Sequence, residues 1–282
     1  MISPLVRALA RRHEVDLTAL TPSGAFGVIL RRDVERALTA AARTAAPSAS
    51  DTAATADERI PLRGLRRATA EKLTLSSAVP QATTWVDADA TGLLEARAAL
   101  RAQGHDIGIL ALLARICVAA LRRYPDLNAT VDLEGGEIVR LHDIHLGIAA
   151  QTERGLVVPV VRDAHRRTTA ELAGELTGLT ARARSGELRP RELTGGTFTL
   201  NNYGVFGVDG STPLINHPEA AILGVGRLVD KPWAVDGALA VRSVTQLALT
   251  FDHRVCDGGT AGGFLRYVAD RVERPATLLA DL

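Results

Sequence analysis

The residues with the clearest chemical potential lie in the segment SVTQLALTFDHRVCDGGTAGGFL, residues 243–265. Its apolar run predicts a strand that delivers His253 to a Gly-rich turn, where an imidazole can be exposed on rigid support. With an unperturbed pKa of about 6.5, such a histidine can act as a general base near neutral pH, and a thiol is a suitable proton donor to it. Asp257 follows four residues later and can either orient His253 or hold the turn. The competing interpretation is a structural histidine that caps the turn.

Signatures of other site types are missing from the sequence. The spacing of histidine, cysteine and acidic residues predicts no metal site, and the Gly224-Val225-Gly226 segment lacks the third glycine of a dinucleotide-binding loop. Neither a phosphate-binding G-x-x-x-x-G-K motif nor a G-x-S-x-G nucleophile elbow occurs. The two cysteines, Cys117 and Cys256, provide no disulfide framework and no zinc ligand set. We interpret Cys256 as a small turn residue rather than a catalytic thiol.

The overall composition is that of a globular protein. The 282 residues include 46% hydrophobic and 23% charged residues, and the formal net charge is +1. A disordered chain would be less apolar, and a nucleic-acid binder usually carries a basic excess. The longest apolar run, residues 109–121, is too short for a membrane span and contains Arg115. No secretory signal pattern opens the chain. We therefore expect a cytoplasmic protein that binds neither nucleic acid nor membranes.

A low-complexity segment divides the chain into two units. Residues 44–57 contain only Ala, Thr, Pro, Ser and Asp, which cannot bury enough apolar surface to offset their ordering entropy. We predict a flexible linker there, between a small unit at residues 1–43 and a large unit at residues 58–282. The small unit has two helix patterns around a turn-rich loop, with seven arginines and four acidic residues. It is either a solvated helix pair or a basic docking module.

The large unit alternates strand and helix patterns without the regular repeat of a doubly wound fold, so we predict an α+β fold with a mixed sheet and helices on one face. A capping box at Thr168 and Glu171 begins one helix, and Gly186 ends it. The remaining predicted helices cover residues 65–76, 93–100, 109–121 and a segment from about 259. The predicted strands cover residues 83–90, 138–141, 144–150, 156–161, 197–201, 220–225 and 243–251.

Several motifs accompany the His253 segment in a fixed order. LGIAAQTERGLVVPVV spans residues 146–161, GGTFTLNNYGVFG spans residues 195–207, and INHPEAAILGVG spans residues 215–226. Together with D-H-R-x-x-D-G, they closely resemble the dihydrolipoamide acyltransferases, the E2 components of 2-oxoacid dehydrogenase complexes. The resemblance covers essentially the whole large unit and implies a chloramphenicol-acetyltransferase-like catalytic core. The small unit resembles the family's peripheral subunit-binding domain, a small helical domain.

The resemblance implies acyl transfer between a dihydrolipoyl thiol and coenzyme A. His253 would take the proton from the CoA thiol, and the thiolate would attack the thioester carried on the lipoyl arm. Asn201 aligns with a serine that, in much of the family, donates a hydrogen bond to the tetrahedral intermediate. An asparagine amide can also donate, although Asn201 can equally be a structural residue of the NNYG turn. The match at Asp257 implies support of the active-site loop rather than proton transfer.

Two further residues align with the family's CoA site. Asn202 matches an asparagine that lies near CoA in branched-chain members, and Arg97 matches a helix arginine that contributes to CoA binding. The guanidinium of Arg97 could pair with a phosphate, or Arg97 could be an ordinary solvated helix residue. The NNYGVFG version of the motif favours the branched-chain members of the family.

The resemblance also implies partners and assembly. In the family, trimers place the active channel between subunits, so His253 would face Asn201 of a neighbour. Trimers form a 24- or 60-subunit core, and the branched-chain motif favours 24. The small unit would dock the E1 decarboxylase or the E3 dihydrolipoamide dehydrogenase. It departs from the family pattern at Val28, where an arginine is usual, and at Glu14, where a glycine is common.

The lysines bear on the source of the lipoyl group. Lys72 and Lys231 are the only lysines, and neither stands in the hairpin setting of a lipoylated lysine. We therefore expect the lipoyl group to be supplied in trans, with CoA as a substrate and no metal cofactor. Two alternatives stay open. One is a non-catalytic E3-binding scaffold, although such scaffolds tend to lose the histidine; the other is a CoA acyltransferase with a non-lipoyl acceptor.

Overall fold

The computed structural model describes residues 3–13, 15–24, 27–44, 58–153 and 155–281. These residues form two compact units, Met1–Pro61 and Leu62–Leu282. The predicted linker lies outside the described residues except for Thr44, and so does Glu14. The predicted domain boundaries at 43 and 57 stay predictions. In the described ranges, every helix is too short or too polar to cross a membrane.

The small unit is built from two helices, α1 (Pro4–Arg12) and α2 (Arg31–Thr44). Asp33 in the first turn of α2 is buried, and its Oδ2 accepts hydrogen bonds from the backbone amides of Ser23 and Leu30 at 3.0 and 2.9 Å. Bonding to Ser23 is the main cause that lowers the pKa of Asp33 to about 2. This carboxylate ties the loop between the helices to α2. The apolar core of the unit comprises Val6, Ala10, Ile29 and Val34.

The large unit contains five α-helices and ten strands within the described residues. The helices are α3 (Gly64–Ser77), α4 (Thr91–Ala102), α5 (Ile109–Arg123), α6 (Thr169–Ser185) and α7 (Gly258–Glu273). The strands are β1 (Gln81–Asp89), β2 (Ala129–Asp132), β3 (Glu137–Arg140), β4 (Leu146–Thr152), β5 (Gly155–Val157), β6 (Val160–Val161), β7 (Phe198–Asn202), β8 (Ala221–Val225), β9 (Val229–Val235) and β10 (Ala238–Asp252).

One mixed sheet organises the large unit. Its main strand order is β1-β10-β8-β7-β4-β5, with β6 paired to β4 and β9 paired to β10. The β4–β7 and β7–β8 pairs are parallel, and the other pairs are antiparallel. A separate hairpin joins β2 and β3. The predicted α+β class with a mixed sheet is confirmed.

The core lies between this sheet and the helices α5 and α7. Most residues of α5 are buried, which explains why residues 109–121 form the longest apolar run of the sequence. Phe264 of α7 packs against Phe198 of β7 with ring centroids 5.6 Å apart, and against Tyr124 at 6.1 Å. Burial of these apolar side chains stabilises the positions of the central strands. The residues described below lie at the ends of those strands.

Local sequence signals match the structure closely around α6. Thr168 Oγ1 accepts a hydrogen bond from the Glu171 amide, and the Glu171 carboxylate accepts one from the Thr168 amide at 2.7 Å. Gly186 ends the helix with φ of 74°, a conformation that favours glycine. Each of these contacts satisfies a helix-end backbone group that would otherwise lack a partner.

Two strand predictions differ from the structure. The single strand predicted over residues 156–161 is two strands, β5 and β6, because Pro159 between them has no N–H for the ladder. The strand predicted over residues 243–251 is longer in the structure, where β10 extends from Ala238 to Asp252. The preceding strand, β9, was not predicted. The signal for this hairpin is Asp236-Gly237, whose φ angles of 50° and 82° form the turn between β9 and β10.

Candidate active site

His253 stands directly after the last residue of β10, between two neighbouring strands. Its backbone amide donates to Pro80 O at 2.9 Å, just before β1, and the preceding amide of Asp252 donates to Ala220 O at 2.8 Å, just before β8. The imidazole is exposed, and its ring centroid lies 5.5 Å from that of Phe251. The backbone of His253 is thus anchored on both sides while its side chain faces solvent.

The residues on either side of His253 form a clamp that the sequence reasoning missed. Arg254 Nη2 lies 2.6 Å from Asp252 Oδ2, and Arg254 Nε lies 2.9 Å from Asp252 Oδ1. The Arg254 backbone amide also donates to Asp252 Oδ1 at 2.9 Å. Asp252 is 3% exposed, so this bidentate pair is held in a partly buried setting. The sequence D-H-R could have indicated this pair, because Asp252 and Arg254 are oppositely charged and stand on either side of His253.

Asp257 holds the turn after His253. Its Oδ1 accepts hydrogen bonds from the amides of Gly259 and Thr260 at 3.0 and 3.2 Å, which makes it the N-cap of α7. Of the two roles considered for Asp257, its contacts are those of a helix cap. At Cys256, burial and then the charges of nearby aspartates raise the pKa of the thiol to about 11, which disfavours a thiolate at neutral pH.

Asn201 lines the larger of two cavities that flank β7. This cavity has a volume of about 460 Å³ and is bordered by α3, by β7 and by the segment from Ser211 to Asn216. Its polar wall includes Lys72, Ser76, Thr199, Asn201 and Asn216. We call it the large cavity.

Asn202 faces the opposite side of β7, because successive side chains of a strand alternate. It lines a second cavity of about 220 Å³, the small cavity, together with Leu93 of α4. Asn202 Oδ1 accepts a hydrogen bond from the Gly204 amide at 3.1 Å. Arg97 lies one turn beyond Leu93 on the same face of α4. Its Nε is buried and has no hydrogen-bond partner among the described residues. The structure therefore groups Asn202 and Arg97 on one side of β7 and Asn201 on the other.

The structure does not bring His253 and Asn201 together within one chain. Asn201 is in register with Gly224 of β8, which is in register with Ala248 of β10. His253 lies beyond Ala248 by about 16 Å of strand, and β10 is about 10 Å from β7, so the two residues are roughly 19 Å apart. Any site that uses both residues must draw them from two chains.

A cluster of possible metal ligands lies elsewhere in the large unit. Ligand atoms of Asp143, His145 and Asp163 lie within 4.8 Å of one another. His145 Nδ1, however, accepts the backbone N–H of Asp163 at 3.1 Å, and Arg166 Nη2 lies 3.5 Å from Asp143. The cluster suits a metal ion poorly, because the lone pair of His145 Nδ1 is already used and the Arg166 guanidinium competes for the Asp143 carboxylate.

Comparisons with known proteins assign both units. Residues 54–280 match the model of the 2-oxoacid dehydrogenases acyltransferase (catalytic domain), and residues 1–35 match that of the e3 binding domain. The chain is 38% identical over its full length to the lipoamide acyltransferase component of the branched-chain alpha-keto acid dehydrogenase complex of Pseudomonas aeruginosa, covering 68% of that protein.

Relatives from other complexes are similarly close. The chain is 35% identical over 99% of its length to the dihydrolipoyllysine-residue acetyltransferase component of the Bacillus subtilis pyruvate dehydrogenase complex, covering 67% of it. It is 35% identical over its full length to the dihydrolipoyllysine-residue succinyltransferase component of the Escherichia coli 2-oxoglutarate dehydrogenase complex, covering 72% of it. The relatives thus belong to three kinds of complex and do not single out the branched-chain one.

Solved structures show the same fold. The Azotobacter vinelandii dihydrolipoamide acetyltransferase superposes with a TM-score of 0.74 at 33% identity, covering 79% of this chain and 94% of that one. The cubic core of a pyruvate dehydrogenase multienzyme complex gives the same TM-score, identity and coverage. The match of the family model to most of the chain, and these relatives above 30% identity, agree with the motifs around His253. The chain belongs to the family of 2-oxoacid dehydrogenase acyltransferases.

Proposed function

We propose that this protein transfers an acyl group between coenzyme A and a dihydrolipoyl thiol, as the E2 core of a 2-oxoacid dehydrogenase complex, with His253 as the general base. The observation that carries the proposal is an exposed imidazole, fixed through its backbone and flanked by the Asp252–Arg254 pair, in a member of this family. Such a group can accept a proton from a thiol at neutral pH.

The reaction proceeds through proton transfer and thioester exchange. His253 takes the proton of the CoA thiol, and the thiolate attacks the carbonyl carbon of the acyl-dihydrolipoyl thioester. The tetrahedral intermediate then breaks its bond to the dihydrolipoyl sulfur, and that thiolate recovers the proton from the imidazolium. The products are acyl-CoA and a dihydrolipoyl thiol, and every step is reversible.

Asn201 would donate a hydrogen bond to the oxyanion of the intermediate. The mechanism of the A. vinelandii enzyme has been investigated at a serine, a histidine and an asparagine, placed 52 positions before the histidine and four after it. Asn201 and Asp257 have the same spacing from His253. An amide N–H can replace a serine hydroxyl as donor, and a single such donor is worth about 3–4 kcal/mol of transition-state stabilisation. At the third position, the cap on α7 suits Asp257 to supporting the His253 turn.

The separation of His253 and Asn201 supports a site shared between two subunits. We propose a homotrimer in which His253 of one subunit faces Asn201 of the next, and a 24-subunit core built from such trimers. The related pyruvate dehydrogenase core is cubic. Closed rotational symmetry would repeat the shared site at each interface.

The two cavities suggest how the two substrates divide. Arg97, with its unpartnered Nε, and Asn202 would bind CoA on the small-cavity side of β7, and a phosphate suits the guanidinium. The large cavity, which contains Asn201, would receive the acyl-lipoyl side. Lys72 lies in α3 and Lys231 in β9, so neither is at a hairpin tip. We therefore propose that the lipoyl group is supplied in trans, by another chain or by a longer form of this one.

The small unit would dock the E3 dihydrolipoamide dehydrogenase, the E1 decarboxylase or both. Its match to the e3 binding domain supports the first of these partners. The exposed arginines of both helices give it a basic surface suited to an acidic groove, although Val28 replaces the family's arginine. These arginines are Arg7, Arg11, Arg31, Arg32 and Arg36.

A transfer assay with a panel of acyl-CoAs tests the proposal. Acetyl-, isobutyryl-, isovaleryl- and succinyl-CoA are each incubated with dihydrolipoamide, and the new thioester is measured. We expect turnover, with the branched acyl groups preferred because of the NNYGVFG motif. Preference for acetyl- or succinyl-CoA would contradict the branched-chain assignment alone. Absence of transfer from every acyl-CoA, in a sample that still binds E3, would contradict the proposal and favour either a scaffold or an acyltransferase with a non-lipoyl acceptor.

A further inference from the structure

A buried carboxyl group lies behind the polar wall of the large cavity. Glu219 is only 5% exposed, and both of its oxygens are engaged. Oε2 lies 2.6 Å from Thr199 Oγ1, and Oε1 accepts from Asn216 Nδ2 at 2.6 Å. Asn216 Nδ2 also lies 3.3 Å from Thr199 Oγ1. Thr199 and Asn216 line the large cavity, so Glu219 contacts its wall without being part of it.

The proton on Glu219 determines what the Thr199 hydroxyl can do. A hydroxyl has one hydrogen. When Glu219 is ionised, that hydrogen is directed to the carboxylate, and Thr199 offers the cavity no donor. When Oε2 carries a proton, the carboxyl group donates to Thr199 Oγ1, and the hydroxyl hydrogen is free to point elsewhere. Thr199 precedes Asn201 by two residues in β7, so both side chains lie on the same face of the strand.

The surroundings of Glu219 stabilise its protonated form, so both protonation states are populated near neutral pH. Burial raises the pKa of Glu219 to about 7, against the lowering effects of Thr199, Asn216 and the charge of Lys72 on α3. A Cβ atom on Gly196 would lie 2.7 Å from Oε1, so the segment before β7 closes tightly over the carboxyl group. His217 is the other titratable residue of the segment that carries Glu219. Among the described residues, the other contacts of the carboxyl group are with Thr199, Asn216 and Gly196, which carry no charge.

We propose that Glu219 is a positioning residue that acts through Thr199 and controls whether the large cavity offers a hydrogen-bond donor beside Asn201. The inference rests on the proposed function, in which the acyl-thioester carbonyl enters this cavity. Protonated Glu219 releases the Thr199 hydroxyl to bind that carbonyl, whereas ionised Glu219 withdraws it. The CoA side of the reaction, across β7, is not affected.

Steady-state kinetics with S-acetyldihydrolipoamide and CoA test whether protonation of Glu219 affects binding of the first substrate and not of the second. The KM of each substrate and kcat are measured from about pH 5.5 to 8.5, a range that brackets the pKa of about 7. In the wild type, the KM for S-acetyldihydrolipoamide should rise about three- to tenfold with increasing pH, the value of one neutral hydrogen bond. The KM for CoA should not follow this change.

Three variants and a control separate positioning from structure. Glu219→Gln keeps the low KM at every pH, because its amide donates permanently to Thr199. Thr199→Val has the high KM for S-acetyldihydrolipoamide at every pH. Thr199→Ser restores the wild-type dependence of this KM on pH. Glu134→Gln, an exposed residue of the β2–β3 turn, serves as the matched control and behaves as wild type.

The inference and the proposed function fail in different ways. Lack of turnover by the wild type would overturn both. Wild-type turnover with a pH-independent KM for S-acetyldihydrolipoamide, or a pH dependence that Glu219→Gln retains, would overturn the inference alone. If Glu219→Gln does not fold, the Thr199→Val and Thr199→Ser pair still decides, because identical KM profiles in both would contradict a role for the hydroxyl.

Discussion

The pKa of Glu219 predicts a specific pH dependence of stability. In the unfolded chain a glutamate titrates near its ordinary value of 4.5, whereas burial raises the pKa of Glu219 to about 7 in the folded protein. Between these values the folded protein holds a proton that the unfolded chain has lost. The stabilising contribution is therefore complete below about pH 4.5 and lost as the pH rises through about 7. A pKa difference of one unit corresponds to about 1.4 kcal/mol, so the free energy of unfolding changes by about 3 kcal/mol over this range.

Glu219→Gln removes this dependence, because glutamine stays neutral throughout. The free energy of unfolding of the variant, relative to wild type, should increase by about 3 kcal/mol between about pH 4.5 and 8. Urea unfolding at fixed protein concentration measures it. Tryptophan fluorescence reports on the large unit alone, because Trp85 and Trp233 are the only tryptophans. Glu134→Gln provides the baseline. A difference between Glu219→Gln and wild type that stays constant with pH would refute the reasoning, whatever its size.

Three further predictions concern the shared site, the CoA site and the small unit. Mixing His253→Ala and Asn201→Ala subunits should restore about a quarter of the wild-type sites if each site is shared by two chains, and no restoration would contradict a shared site. Arg97→Gln should raise the KM for CoA about tenfold or more, because a charge-assisted bond is lost, whereas the exposed Arg101→Gln on the same helix should not. Asp33→Ala should lower the protection of the Ser23 and Leu30 amides from hydrogen exchange, measured relative to their intrinsic rates, and unchanged protection would contradict this. In wild type, protonation of Asp33 on acidification towards its pKa of about 2 should lower the same protection.

The parts of the fold that local chemistry specifies were predictable. The capping box at Thr168 and the glycine at 186 locate α6 because each satisfies a helix-end group through neighbours in sequence. The β9–β10 hairpin was missed although Asp236-Gly237 is a strong turn signal. Pro232 argues against a strand, and the segment Asp230–Pro232 interrupts the apolar pattern of β9. Pro232 is tolerated in β9, which pairs with β10 alone among the described strands.

The site itself depends on distances in the fold that sequence spacing does not reveal. His253 could be singled out because a strand, a histidine and a Gly-rich turn follow one another. Its separation from Asn201 follows from the register of β7, β8 and β10, which is set only when these strands pair in the folded sheet. The Glu219–Thr199 contact joins residues 20 positions apart. Each residue lies in a recognised motif, at 195–207 and 215–226, but the spacing of the two motifs does not reveal that these side chains meet. Burial, which creates the unusual titration of Glu219, exists only in the folded chain.

The most direct test of the central claim is the rate of acetyl transfer from acetyl-CoA to dihydrolipoamide in His253→Ala and wild type. The matched control is His105→Ala, which removes an exposed histidine after α4. Loss of a general base should lower kcat about 10²- to 10⁴-fold in His253→Ala, with the fold and the oligomeric state retained, and His105→Ala should match wild type. Equal rates in His253→Ala and wild type would contradict the assignment of His253 as the base.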